Sequence, residues 1–547
     1  MKSRMPLDDL ALLAQRLLDQ LIRRLRLGGA PRTGARRLLI VQIDGLSRGV
    51  LEEGLAAGHA PLLRGLLANG TLRFEPMSVG LPTSTPAFQM AAMYGVKPDI
   101  PGFHYHDRRR GGDVYFPRGG DAAWVETSQA TGRRGIVSGG SAYGCVFTGG
   151  ASNSLFTFAM IKRPAGRGLL RAVSAGVILG WVVVKSALLS TVEIARAALH
   201  LVADPVGTSA RDWKWLAIKL GISVWLRQLF TLVAARDLYA GAPVVYVNFL
   251  DYDVVAHVYG PRHRRAFRAL RRVDRSIRVL WRVCRRVPEH RWELHVLSDH
   301  GQARCTPYAA LAGGASIEHV LFERFFTPAR LAVGERVTRR ARLATGVAAW
   351  RAHRTAGILQ RFVNYLERDF PWVLGGHRGV HQQDGVRMIT AGPNAFVYFT
   401  DSSAPLAIEA IDARSPGLVE SLSRERGVGL VLARSAAGPV CCHRGKRYVL
   451  GEDAPGPFAD RADAPLVVAG IRDLMAMPSA GDLVIYGIDA PEGNVSYLGE
   501  LGAHAGTTPE EMQTFILAPA AARLPTPLTH PVQLYPYFLG YQTGLAA

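Results

Sequence analysis

Three apolar runs that each end in acidic residues constrain this chain more than anything else in it. They are Leu38–Ile43 (LLIVQI) before Asp44-Gly45, Val244–Leu250 (VVYVNFL) before Asp251-Tyr252-Asp253, and Glu293–Leu297 (ELHVL) before Ser298-Asp299-His300-Gly301. An apolar run bounded by a turn reads as a buried parallel strand. Between the second and third runs lies Ala266–Arg286. Its Phe267, Leu270, Val273, Ile277 and Leu280 follow helical spacing, with Arg on the other faces. Strand, helix, strand implies parallel pairing through a crossover. In open α/β sheets, sites gather at the carboxyl ends of the strands. The acidic residues of all three runs are therefore expected in one crevice.

The chain has 547 residues, of which 48% are hydrophobic and 20% charged. That is enough for a large core and excludes a disordered protein. The expected fold is α/β, with a mostly parallel central sheet flanked by helices, a helical insertion and a smaller cap lobe. The expected organisation is an amphipathic helix over 1–33 and three core segments, 34–154, 239–310 and 481–547. The helical insertion takes 155–238 and the cap lobe 311–480. Within 311–480, Phe396–Phe399 and Gly429–Leu432 read as strands, and EDAPGPFADRADAP reads as a loop.

Five scattered cysteines, Cys145, Cys284, Cys305, Cys441 and Cys442, do not make a disulfide framework. They read as reduced thiols, which points to the cytoplasm. The net charge is +21. It suits a solvated basic surface, an anionic membrane or an anionic substrate. No helix-turn-helix, zinc-finger or aromatic RNA-binding signature is present, so no specific nucleic-acid partner is expected.

Two segments suit a membrane surface. Leu10, Leu13, Leu17, Leu21 and Leu25 form an amphipathic stripe with a basic end. Residues 165–235 are highly apolar, yet only 13 charge-free residues separate Arg171 from Lys185. As a helix these reach ~20 Å, short of a ~30 Å hydrocarbon core. Trp213, Trp215 and Trp225 mixed with Lys214, Lys219 and Arg227 suit an interface instead. Peripheral contact with the inner membrane is expected rather than a span.

Asp44, Asp253, His257, Asp299, His300 and His504 supply three carboxylates and three imidazoles, donors that suit zinc or a similar divalent ion. Singly, each reads as well as a turn, a cap or a core residue. Their order with neighbouring motifs resembles the alkaline phosphatase superfamily, and its nucleotide pyrophosphatase/phosphodiesterase branch in particular. The matching pieces are Asp44 in IVQIDGL, Pro82-Thr83-Ser84-Thr85, Asp253-Val-Val-Ala-His257 with Gly260-Pro261, Ser298-Asp299-His300-Gly301, and Gly502-Ala503-His504. The sulfatase branch is disfavoured, since no Arg follows Pro86-Ala87.

The resemblance implies two divalent metal ions, zinc by preference. One is held by Asp44, Asp299, His300 and Thr85, the other by Asp253, His257 and His504. It implies Thr85 as nucleophile in a phospho-threonine mechanism, with cations ~4 Å apart stabilising attacking and leaving oxygens. Ser84 is the rival nucleophile, and Thr83 to Thr85 also read as caps of a helix starting near Pro86. The branch usually has an Asn soon after the nucleophile helix to hold a phosphate oxygen. Here Gly102–Asp107 (GFHYHD) stands there, so His104, His106 or Arg108 is the expected replacement. His377, His381 and His443 read as surface or structural residues. The implied activity is phosphodiester or pyrophosphate hydrolysis on an anionic phosphoester, and the apolar residues 165–235 make a lipid-linked one attractive. A phosphomonoesterase and a non-catalytic, membrane-docking scaffold are the alternatives.

Overall fold

The computed structural model describes residues 36–155, 169–203, 216, 219–326, 380–383 and 385–543. The expected N-terminal helix, Trp213, Lys214, Trp215 and His377 lie outside the described residues. The chain divides into two compact units. Unit 1 takes Met1–Pro98, Arg118–Ala303 and Thr507–Ala547, and unit 2 takes Asp99–Pro117 and Arg304–Gly506.

Unit 1 is built on a seven-stranded sheet. Its strands are β1 (Arg37–Ile43), β2 (Leu72–Ser78), β3 (Ser141–Tyr143), β4 (Asn153–Leu155), β5 (Val244–Phe249), β6 (Trp292–Leu297) and β7 (Gln513–Pro519). The spatial order is β2-β7-β6-β1-β5-β3-β4. The five strands from β6 to β4 run parallel, and β7 and β2 complete one edge antiparallel. The mostly parallel α/β sheet expected from the apolar runs is what forms. Strand β1 is buried at every residue because it lies centrally between β5 and β6.

Helices cover this sheet. They include α1 (Thr85–Tyr94), α2 (Leu169–Ala203), α3 (Arg227–Ala240), α4 (Asp251–Tyr259) and α5 (Arg264–Arg286). Helix α5 is the expected crossover, and it buries Ala266, Leu270, Val273, Ile277 and Leu280. It also satisfies the start of the helix Pro61–Ala68: the Asp274 carboxylate accepts from the Leu62 and Leu63 amides at 3.1 Å. No helix among the described residues is long and apolar enough to cross a membrane.

Unit 2 has its own seven-stranded sheet, antiparallel throughout. Its order is Val380–Gln383, Val386–Ala391, Asn394–Phe399, Leu483–Tyr486, Leu430–Ala433, Val440–His443 and Lys446–Val449. Both strands expected within 311–480 are there. Residues 481–506, expected with the catalytic core, instead supply the central Leu483–Tyr486 strand of unit 2. Met388, Val397, Val431 and Ile485 meet in one buried cluster on this sheet. His381 packs its ring against Phe322 at 4.2 Å, a structural use. All five cysteines are buried and none is in a disulfide.

Candidate active site

The register of the parallel strands sets the site. Ile43 pairs with Phe249, and Gln42 pairs with both Asn248 and Leu297. The chain therefore leaves β1, β5 and β6 at one level, and Asp44, Asp251–Asp253 and Ser298–His300 share one edge. Two turns lock that edge. The Leu46 amide donates to Ser298 Oγ at 3.0 Å, and the Gly45 amide donates to Asp299 Oδ1 at 3.3 Å. Gly45 has φ +70°, and a Cβ there would lie 2.3 Å from Asp253 Oδ1. Glycine is thus required both by the left-handed backbone and by the carboxylate packed against it. At Gly301 a Cβ would meet the Glu510 carbonyl at 1.9 Å, which accounts for the glycine of Ser-Asp-His-Gly.

Helix α1 brings the threonine. Its residues Thr85 to Tyr94 are all buried, Pro86 occupies the first turn, and Gly95 ends it at φ +67°. Ser84 sits at the N-cap in an extended conformation but makes no capping hydrogen bond. The capping reading of this segment is therefore not how its hydroxyls are used. Gln89 pins the helix to the sheet. Its amide donates to Gln42 Oε1 at 3.0 Å, and its carbonyl accepts from the Val146 amide at 2.8 Å.

Thr85 Oγ1 then lies 3.3 Å from Asp44 Oδ1, to which it donates, and 3.2 Å from His300 Nε2. Ser84 Oγ is buried without a hydrogen-bond partner. Asp44 Oδ2 accepts from Asn248 Nδ2 at 2.6 Å. His300 is fully buried, and its Nδ1 lies 3.1 Å from its neighbour's carbonyl, Gly301 O. A proton on Nδ1 for that bond leaves the Nε2 lone pair facing Asp44, Asp299 and Thr85. On helix α4, His257 Nε2 lies 3.4 Å from Asp253 Oδ2, and Gln302 Nε2 donates to Asp253 Oδ1 at 2.5 Å.

The electrostatics of this edge are unfavourable for a bare protein. Burial, then the charges of Asp299 and Asp253, push Asp44 well above the ordinary carboxyl range. Burial raises Asp299 to about 7, against the lowering influence of the nearby Thr85 hydroxyl. Burial lowers His300 to about 4, so it is a neutral imidazole at physiological pH. Asp299 Oδ2 is buried and accepts no hydrogen bond. One ligand atom from each of Asp44, Asp299 and His300 lies within 4.8 Å of the others. Buried carboxylates facing a neutral imidazole, with an oxygen left over, fit a divalent cation better than any protonated arrangement.

The remaining expected residues belong to unit 2. His504 follows the short strand Gly502–Ala503 and is half-buried. His104 is fully buried, with Nε2 3.9 Å from Asp113 Oδ2, and His106 Nδ1 lies 3.1 Å from Asp113 Oδ1. Arg108 pairs with buried Asp482 at 2.6 Å and lies over the Tyr398 ring. Burial raises the Asp113 carboxyl, but hydrogen bonds from His104, His106 and Arg387 outweigh it and hold Asp113 well below the usual range.

Asn248 and Gln302, each orienting an acidic residue of the site, are absent from the sequence expectation. Asn248 had a signal, a polar residue inside an apolar strand. Gln302 had only its place beside Asp-His-Gly.

A helix-borne hydroxyl beside acidic residues and an imidazole at parallel strand ends suits hydrolysis at phosphorus. Residues 38–324 match the model of the type I phosphodiesterase/nucleotide pyrophosphatase family. The match takes in more than half the chain, and the protein belongs to that family. It is a phosphoester hydrolase. No curated protein matches it in sequence. Two solved structures of phosphonoacetate hydrolase from Sinorhizobium meliloti 1021 are similar to it. One is in complex with phosphonoformate and one with phosphonoacetate. Each covers 94% of this chain and 96% of its own at 16% identity, with TM-scores of 0.45 and 0.44.

Proposed function

We propose that the protein is a two-metal phosphodiesterase or pyrophosphatase that works through a phospho-threonine at Thr85. The observation that carries this reading is the Thr85 hydroxyl, set 3.3 Å from Asp44 and 3.2 Å from His300. Asp44, Asp299 and His300, with Thr85, would hold one cation. Asp253, His257 and His504 would hold the second, and the donor set suits zinc. When bound, such ions neutralise phosphoryl oxygens and lower the pKa of a coordinated hydroxyl.

The chain's own groups do the rest. Helix α1 aims Thr85 Oγ1 and turns its N-terminus toward an anionic phosphate. Asp44 receives the threonine hydrogen bond, and Asn248 keeps Asp44 from rotating. Thr85 Oγ1 forms a bond to phosphorus as the bond to the leaving oxygen breaks. The hydroxyl proton ends on the leaving group, and water then releases the phosphate and restores Thr85. His106, the histidine of the His104–Asp107 strand that keeps part of its ring exposed, is assigned to a substrate oxygen. His104 and Arg108 back it up by holding Asp113 and Asp482 in place.

The protein would act in the cytoplasm at the inner membrane surface, on an anionic, lipid-linked phosphoester. Metal analysis of the purified protein, with turnover of chromogenic nitrophenyl diesters and monoesters, tests the reading. Two equivalents of divalent metal and faster diester cleavage are expected. A faster monoester reaction would make it a phosphomonoesterase. No bound metal together with no turnover would leave a basic scaffold that has kept the fold.

A further inference from the structure

Helix α2 is polar inward and apolar outward. Toward unit 1 it turns Ser186, Ser190 and Glu193, spaced i, i+4, i+7. Ser186 is fully buried. Ser190 Oγ accepts from the Trp225 indole at 3.1 Å. The Glu193 charge acts on the Arg272 guanidinium of α5. On the other side stand Val183, Val184, Leu188, Val192, Ile194 and Leu199, between 45% and 69% exposed. Among the described residues, seven large apolar side chains are exposed, and all but Val449 are on this helix. At 1.5 Å per residue the face is about 25 Å long. A helix docked on a soluble protein has the opposite pattern.

We propose that this face docks the protein on an anionic lipid bilayer, with the helix lying along the surface. An apolar outer face is stable only against an apolar medium. No helix among the described residues can cross a membrane, so the face lies in the interface. The charges select the lipid. Glu193, the sole acidic residue of α2, is turned inward. The basic positions 171, 185 and 196 are separated by nearly whole turns and follow one edge of the apolar face. Lys185 is half-buried at that edge, where a long stem can lie along the apolar surface while the ammonium reaches a headgroup. A second copy of the chain fits less well. A two-fold contact through α2 would set this basic edge, and two chains of +21 each, against one another.

This assigns a surface to the membrane contact proposed above and stands apart from the hydrolase chemistry. The test is flotation of the full chain with phosphatidylcholine vesicles containing about 30 mol% phosphatidylglycerol, against neutral phosphatidylcholine vesicles. The variant is Val184→Asp/Leu188→Asp/Leu199→Asp, three exposed positions away from the hydroxyl and carboxylates of the site. Leu188→Asp alone is the milder control. Wild type should float with the anionic vesicles, less so at high salt. The triple variant should lose about tenfold or more in bound-to-free ratio and keep its turnover of a soluble diester. Equal flotation of wild type and both variants would overturn the proposal, as would no flotation of wild type. A wild-type dimer that the triple variant converts to monomer, without vesicle binding, would make the face a contact between copies. Flotation that appears only after removal of residues 1–35 would mean the chain covers the face itself, and would equally overturn it.

Discussion

Replacing Thr85 by alanine separates chemistry from folding, because the structure bounds what the change can cost in stability. Thr85 is 7% exposed and its Oγ1 donates one hydrogen bond, to Asp44. Losing a hydrogen bond to a charged group costs about 1.5–3 kcal/mol. Alanine keeps the backbone in the first turn of α1, where no capping bond existed to lose. Folding stability of a domain is about 5–15 kcal/mol, so Thr85→Ala stays folded at 25 °C. Its melting temperature should fall by a few degrees. Turnover should fall much further. Removing a nucleophile should lower kcat/KM by about a thousandfold or more, at least about 4 kcal/mol of barrier. Bound metal should stay near the wild-type amount, because Asp44, Asp299 and His300 remain. Ser84→Ala is the matched control. Its Oγ has no hydrogen-bond partner, so both stability and turnover should hold within a few-fold. The assay is steady-state hydrolysis of a nitrophenyl diester, with metal content and thermal melting on the same samples. A Thr85→Ala protein keeping more than about a tenth of kcat/KM would refute the assignment. So would a Ser84→Ala protein that had lost its activity.

Three further outcomes follow from the same edge of the sheet. Stripping metal with a chelator should abolish turnover and invert the pH dependence of stability. The Asp44 and Asp299 carboxyls titrate high when folded, Asp299 at about 7 against an ordinary 3.8. Across that window the folded metal-free state binds more protons than the unfolded one. Its melting temperature should therefore fall as pH rises. A chelated protein more stable at about pH 8 than at about pH 5.5 would contradict the burial argument. Gln302→Ala removes the amide held 2.5 Å from Asp253 Oδ1 and should weaken one metal equivalent about 10- to 100-fold in a competition titration. Unchanged affinity would show that Asp253 needs no such support. Gly45→Ala places a methyl 2.3 Å from Asp253 Oδ1 on a backbone at φ +70°. It should cost about 1–2 kcal/mol from the backbone alone and depress turnover further. Wild-type activity and melting would show that the turn relaxes freely.

Much of unit 1 was legible because its signals are local. Apolar runs ending in Asp44, Asp251 and Ser298 mark strands and where they stop. The spacing of Leu270, Val273, Ile277 and Leu280 marks α5. The motif around Thr85 marks a hydroxyl at a helix start. None of these depends on a distant neighbour. The antiparallel sheet of unit 2 was largely illegible. Its strands are short, and Leu483–Tyr486 earns a central place only by pairing with Asn394–Phe399 and Leu430–Ala433.

The amino-acid order alone thus determined which residues end strands and which carry chemistry, through periodicity and turn chemistry within a few positions. Tertiary structure decided that β1 lies between β5 and β6, which puts Asp44 beside Asp299. It decided that Thr85 reaches Asp44 across 41 positions, and that Asn248 and Gln302 orient their carboxylates. It also decided that α2 turns Ser186 and Ser190 inward. Strand neighbours, hydrogen-bond partners and the face a helix buries are set by groups far along the chain. Their energies arise only once those groups meet, so no local pattern can encode them.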